Sequence, residues 1–209
     1  STIITDSVTS DGLTDFLEND LHLKHLRYMR GYKNVINECI RRNEAGEVSP
    51  LAIETSGHGA LSENYYLDDG AYLAVKLLIA AARAHAEGRT LADLIAPLRH
   101  PAEAREIRLR ITGTDDVHAY GAQVLEAFEQ RARARGITIA APSYEGVRLV
   151  MDGGWALLRM SLHDPNMPLN IEAEREGGAD EIERLVMDLL TGFDALDRSG
   201  FTVEGNTAP

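Results

Sequence analysis

The chain has 209 residues, 44% of them hydrophobic, which is enough to bury a sizeable core and to form one or two domains. A formal net charge of -12 and a pI near 5.0 exclude nucleic acid or an anionic membrane surface as a general partner, so an anionic ligand would need a local island of positive charge. Cys39 is the sole cysteine, which rules out an intrachain disulfide and favours a reducing, cytoplasmic setting; no apolar run approaches the ~20 residues of a membrane span, and there is no signal-peptide pattern.

The chain opens at Ser1, without methionine, directly on a β-rich run, Thr2-Ile3-Ile4-Thr5, and is expected to be a fragment or a processed chain. The polar turn Asp6-Ser7-Val8-Thr9-Ser10 follows, and Ser10 or Asp11 caps a helix through Leu13, Phe16 and Leu17. Lys24, Arg27, Arg30 and Lys33 then recur with no carboxylate among them. In so acidic a chain this stretch is expected to face an anion, with a solvated helix face as the plain alternative. A helix through Val35, Ile36, Cys39 and Ile40 leads by a loop to the strand Leu51-Ala52-Ile53, which stops at Glu54-Thr55-Ser56-Gly57-His58-Gly59.

A second polar cluster, Asn64 to Asp69, enters a long helix at Gly70 whose residues Tyr72, Leu73, Val75, Leu77, Leu78 and Ile79 are apolar all round, so burial on more than one side is expected. Gly88 ends it, and Thr90 with Asp93 forms a capping-box variant for one further short helix. Proline twice in Pro97-Leu98-Arg99-His100-Pro101 blocks both helix and interior strand. The reading is therefore one domain over residues 1–97, a linker at 98–103, a second domain over 104–197 and a flexible tail at 198–209.

The second half alternates Ile107, Leu109 and Ile111 with polar residues as a half-buried strand, then forms a helix lined by Tyr120, Val124 and Phe128 and closed by Gly136. Val147, Leu149 and Met151 make a strand, Asp152-Gly153-Gly154 a tight turn, and Trp155 to Ser161 its hairpin partner; Leu169, Ile171 and Ala173 alternate in a fourth strand before a final helix through Ile182, Leu185, Met187, Leu189 and Leu190. The order β-α-β-β-β-α is an α+β layer.

Two loops carry the chemistry. A strand that ends in a carboxylate, a hydroxyl and an imidazole offers alternating hydrogen-bonding groups suited to a polyhydroxyl ligand. Read singly, each such residue is an ordinary turn former. A metal site from Glu54, His58, Asp68 and Asp69 lacks a supporting ligand spacing, and a hydrolase built on Ser56 and His58 lacks the first glycine of a nucleophile elbow. In the second loop, Arg159 to Pro168, an arginine fork, a serine hydroxyl and turn amides could cradle phosphate oxygens.

Glu54-Thr55-Ser56-Gly57-His58 followed by Leu67-Asp68-Asp69-Gly70 resembles the sugar-recognition loop of the α-D-phosphohexomutases, the phosphoglucomutase and phosphomannomutase enzymes, with Ile53 and Thr55 as departures. Gly31-Tyr32-Lys33-Asn34 resembles the family's Gly-aromatic-Lys segment, and Val8 stands where other members carry a loop lysine. Arg159-Met160-Ser161-Leu162-His163-Asp164-Pro165 is similar to the Arg-x-Ser-x-Thr-x-Pro phosphate loop, with His163 in place of threonine and Asp164 adding a negative charge.

The resemblance implies the last two of four family domains: an α/β third domain with a mixed sheet and helices, and a fourth with a TATA-binding-protein-like antiparallel four-stranded sheet and two helices. It implies sugar binding by Glu54, Ser56, His58 and Lys33, and phosphate binding by Arg159, Ser161 and His163. The family's phosphoserine loop and its magnesium loop are missing from the sequence. No catalytic residue and no metal ligand is therefore assigned here. The implied partners are a hexose phosphate and the N-terminal domains of the same enzyme, with Mg2+ held outside this segment, and the chain alone is expected to be inactive. The rival is a free-standing sugar-phosphate or protein-binding module without catalysis.

Overall fold

The computed structural model describes residues 1–161 and 164–203. The chain divides into two compact units, Ser1–His100 and Pro101–Pro209.

In the first unit β1 (Thr2–Asp6), buried along its whole length, runs parallel to β2 (Lys24–Tyr28) on one side and β3 (Leu51–Ile53) on the other. β4 (Gly59–Leu61) pairs antiparallel with β3, giving a mixed sheet of order β2-β1-β3-β4. Ile4 and Ala52, from the two inner strands, pack with Val35, Ile36 and Cys39 on the helix α2 (Tyr32–Glu44), which covers one face. Ser10 Oγ accepts the Gly12 amide to start the short α1 (Asp11–Asp15), which passes into a π-helical turn, Phe16–Asp20, burying Phe16 and Leu17. This is the expected α/β unit with a mixed sheet.

The basic stretch departs from expectation. Residues 24–28 form an edge strand rather than a helix face, because the parallel register with β1 supplies long-range pairing that a short polar segment does not advertise. Arg27 turns inward, donating from Nε to Thr9 O (2.8 Å) and from Nη2 to Ser10 O (3.0 Å), the Asp11 carboxylate (2.5 Å) and Thr14 Oγ1 (2.5 Å). It ties loops together and is not presented to an external anion.

The long helix, α3 (Gly70–Ala86), also differs. Among its residues only Ala84 is buried, while Leu77 is 59% and Leu78 69% exposed. The helix reaches its own sheet near its start, where Leu73 lies so close to Gly59 that a β-carbon there would come within 2.9 Å of it. Apolar composition without a periodic polar face states that the helix has contacts to make, not that the first unit supplies them. The short helix α4 (Leu91–Leu94) starts with the expected capping box, the Thr90 amide donating to Asp93 Oδ2 at 2.7 Å.

Among the described residues the second unit is an antiparallel sheet with two helices, α5 (Val117–Ala134) and α6 (Gly178–Leu189). Its strands are β5 (Glu103–Ile111), β6 (Thr138–Ile139), β7 (Val147–Met151), β8 (Gly154–Leu158), β9 (Asn166–Ala173) and β10 (Leu196–Asp197), in the order β10-β5-β9-β8-β7-β6. The sheet is therefore six-stranded, not four-stranded. The two additions are two-residue edge strands, too short to show alternation in sequence. Leu109, Leu149, Leu158, Leu169 and Ile171 from the sheet meet Val124 and Phe128 of α5 and Val186 and Leu189 of α6 in one core.

Residues 198–203, read from sequence as the start of a flexible tail, are held down. Phe201 packs against the core, and the buried Glu183 carboxylate accepts the amides of Thr202 and Val203. Residues 204–209 lie outside the described residues. No helix among the described residues is long and apolar enough to cross a membrane.

Candidate functional site

β1, β2 and β3 run parallel, so the loops that follow them gather at the carboxyl ends of three adjacent strands, the place where open α/β sheets bind ligands. The loop after β3 is a tight hairpin into β4: the Glu54 amide donates to His58 O (2.9 Å) and the Gly57 amide to Glu54 O (3.0 Å). Gly57 adopts φ +93°, a left-handed conformation that glycine enters without penalty.

Each side chain of this hairpin has a separate anchor. Glu54 is buried, its Oε1 accepting the Gly31 amide at the start of α2 (2.6 Å) and its Oε2 the Ser56 hydroxyl (3.1 Å). A carboxylate is favoured at a helix N-terminus by the free amides and the helix dipole. Thr55 Oγ1 donates to Oδ2 of Asp6 (2.8 Å), the residue that ends β1 and is fully buried. Asp6 Oδ1 in turn accepts the Thr9 hydroxyl (2.9 Å), so one carboxylate braces two strand-end loops.

His58 projects further out. Its Nδ1 lies 2.7 Å from Asp68 Oδ2, its ring stacks on Tyr32 at a centroid distance of 5.0 Å, and Asp68 Oδ1 accepts the Gly59 amide (3.1 Å). The Lys33 ammonium sits 5.9 Å from the centroid of the Tyr32 ring. Tyr32 thus links the lysine to the imidazole. Glu54, Ser56, His58 and Lys33, singled out from sequence, share this loop cluster; Asp6, Tyr32 and the orienting role of Asp68 were not read. In sequence Asp68 stands out as a candidate metal ligand and as part of the family-like Leu67-Asp68-Asp69-Gly70 segment, whose next member, Asp69, caps α3 by accepting the Tyr72 amide (2.9 Å).

Two consecutive non-glycine residues, Tyr65 and Tyr66, hold φ of +55° and +58° between the hairpin and Asp68. Such conformations cost energy and persist where the surroundings enforce them. Among the described residues no group of three or more His, Cys, Asp and Glu side chains is arranged to hold a metal ion.

In the second unit the segment joining β8 to β9 begins at Arg159. The Arg159 amide donates to Pro168 O (3.1 Å), the Ser161 amide to Asn166 O (3.0 Å), and the Asp164 amide to Ser161 Oγ (3.2 Å). The segment is fastened to β5, whose Ile111 amide donates to Pro165 O (2.8 Å). It is fastened to α5 through Met160, which lies so close to Gly121 that a β-carbon there would meet its sulfur at 2.1 Å. Arg159 is only 7% exposed, with Nη1 donating to Glu145 Oε1 (3.2 Å), while its buried Nε has no acceptor among the described residues. His163 and Leu162, and with them the phosphate contact expected of His163, lie outside the described residues.

The first of these two loops lies within a stretch that matches a known family. Residues 1–100 match the family model for phosphoglucomutase/phosphomannomutase, alpha/beta/alpha domain III. The first unit is therefore a domain III of the phosphoglucomutase/phosphomannomutase, or α-D-phosphohexomutase, family. A phosphomannomutase/phosphoglucomutase from Pseudomonas syringae pv. tomato is 31% identical over 136 residues, which is 65% of this chain and 26% of that relative.

A crystal structure of a phosphoglucomutase/phosphomannomutase family protein from Burkholderia thailandensis superposes with a TM-score of 0.72 at 22% identity, over 92% of this chain and 38% of that one. An Aspergillus fumigatus N-acetylphosphoglucosamine mutase, solved with GlcNAc-6P and magnesium, gives a TM-score of 0.57 at 14% identity, over 93% of this chain and 39% of that one. These likenesses establish the fold, and the chain spans well under half the length of the relatives it matches.

Proposed function

We propose that this chain supplies the sugar- and phosphate-binding half of a phosphohexomutase that interconverts hexose 1-phosphate and hexose 6-phosphate through a phosphoserine and a bisphosphate intermediate. The observation that carries this reading is the hydrogen-bonded hairpin at 54–58, which brings a carboxylate, a hydroxyl and an oriented imidazole to the carboxyl ends of parallel strands in a domain III of this family. Glu54 and Ser56 bind sugar hydroxyls, exchanging their mutual hydrogen bond for contacts to the ligand. His58 and Lys33 orient the sugar and assist proton transfer. Arg159, Ser161 and His163 hold the phosphate that is not reacting, and positioning with charge neutralisation carries most of such a phosphoryl transfer.

Within this reading the second unit is a TATA-binding-protein-like fourth domain whose four longer strands and two helices form the layer, with the two short strands added at its edges. The phosphoryl carrier is a serine on the N-terminal domains of the same enzyme. Relatives of this fold have been solved with glucose 1,6-bisphosphate and with magnesium. In this reading Mg2+ is held by the other domains of the same enzyme. The free, buried Cys39 is compatible with a reducing, cytoplasmic setting.

The test is turnover by the purified 209-residue chain and by the same chain joined to its upstream coding sequence. The joined protein is expected to convert glucose 1-phosphate to glucose 6-phosphate, and the chain alone is expected not to. Conversion by the chain alone, or inactivity of both with all hexose 1-phosphates, would overturn the proposal.

A further inference from the structure

We propose that Glu145 is the resident counter-ion of the phosphate loop. It occupies one edge of the Arg159 guanidinium, aims the opposite edge at an incoming phosphate, and holds the affinity for that phosphate down. The inference rests on reading Arg159 as a phosphate ligand.

A guanidinium carries five N–H donors in a rigid fork, and one oriented end fixes the other. Here Nη1 is taken by Glu145, whose side chain is 11% exposed against 9% for that of Arg159. The contact is built rather than incidental. Gly146 holds φ +61°, and a β-carbon on it would fall 2.2 Å from Leu158 O and 2.7 Å from Arg159 Cβ, so the backbone beside Glu145 lies directly on Arg159. Ser143 braces the same turn, its hydroxyl within reach of the carbonyls of Glu145 (3.3 Å) and Gly146 (3.1 Å).

A purely structural ion pair in a buried setting would leave no donor behind. Arg159 leaves Nε, which is buried and unmatched among the described residues, so the fork is half used. A phosphate oxygen supplies the acceptor that edge lacks. Glu145 then stands on the far side of the same cation as the bound anion, in surroundings where solvent screens their repulsion poorly. A bisphosphate that must let go and return in the opposite orientation needs a clamp that orients without over-holding, because binding that is equally strong at every stage does not speed the reaction.

The experiment measures affinity by titrating the 209-residue chain with inorganic phosphate and with glucose 6-phosphate, for the wild type, Glu145→Gln, Glu145→Asp and Arg159→Ala, and follows the Arg159 Nε–H resonance in the three proteins that carry it. Glu145→Gln keeps a hydrogen-bond acceptor and removes the charge; it is expected to tighten phosphate binding by about three- to tenfold, with the Nε–H still shifting on binding. Affinity unchanged or weakened in Glu145→Gln, at an unchanged thermal midpoint, would overturn the role of Glu145. Should that variant not fold, Glu145→Asp serves instead. It draws the carboxylate back from Nη1 and is expected to broaden the Nε–H line and alter affinity, and wild-type behaviour would sink the proposal. Arg159→Ala separates the two readings. If it binds phosphate as the wild type does, the clamp itself is wrong; if it abolishes binding while Glu145→Gln changes nothing, only the counter-ion role fails.

Discussion

His58 Nδ1 stands 2.7 Å from Asp68 Oδ2, a contact that closes the ten-residue excursion between the hairpin and the start of α3. Because a carboxylate accepts, the neutral imidazole carries its proton on Nδ1 and presents Nε2 as an acceptor. A long-range proton–nitrogen spectrum is expected to show that tautomer at neutral pH in the wild type and a mixture in Asp68→Ala. The Nε2–H form as the main wild-type species would refute the arrangement.

In the joined enzyme the same substitution should lower kcat by about 10²-fold or more if His58 moves a proton in the reaction, with a smaller effect on KM. Steady-state kinetics with glucose 1-phosphate decide it, and a change in KM alone would make His58 a binding residue only.

Thr55→Val disconnects the hairpin from Asp6 while leaving the Thr9 contact in place. The expected cost is about 1–2 kcal/mol of stability, because the Asp6 carboxylate is buried and loses one of two hydroxyl partners. Amide exchange at residues 54–58 should quicken selectively. Uniform quickening across the first unit would mean that Thr55 supports the sheet rather than the loop.

The sequence made the hairpin residues readable because strand end, polar cluster and helix start fall in a fixed order, and Glu54, Ser56 and His58 do share one loop. It did not show their supports. Asp6 acts from 49 positions away, across a strand pair whose register only the folded sheet defines. Arg27 looked like ligand-facing charge because a list of residues cannot say that four oxygens around it are already committed. The exposed flank of α3 misled for a related reason: apolar composition declares a need for burial without naming the surface that meets it.

Arg159→Ala in the joined enzyme should weaken hexose phosphate binding by about 1.5–3 kcal/mol, the worth of one charge-assisted contact, with little change in secondary structure. Calorimetric titration checks it, and undiminished affinity would remove Arg159 from the clamp.

Glu183 sets a pH dependence. Burial, the largest single influence, would raise its pKa, but hydrogen bonds from Arg105, the amides of Thr202 and Val203 and the Thr202 hydroxyl outweigh it and hold the carboxyl below the usual glutamate range. A depressed folded-state value means that this contribution is present above the ordinary glutamate range and is lost as pH falls through the folded value. Glu183→Ala should cost about 2–4 kcal/mol near neutral pH, since Arg105 and two amides lose their acceptor. The gap between wild type and variant should narrow on acidification, and thermal midpoints measured across pH test it; a gap that is constant down to strongly acid pH would refute the assignment.

The two apolar interiors are unequal. Trp155, Phe128 and a run of leucines lie wholly shielded in the second unit, whereas the first rests on Ile4, Val35, Ile36, Cys39 and two alanines, with much of its greasiest helix left outside. On the proposed reading, gentle heating or modest urea should therefore melt the hairpin that reads hydroxyls while the loop that reads the anion stays folded, leaving a species that still takes up phosphate but no longer distinguishes one sugar from another.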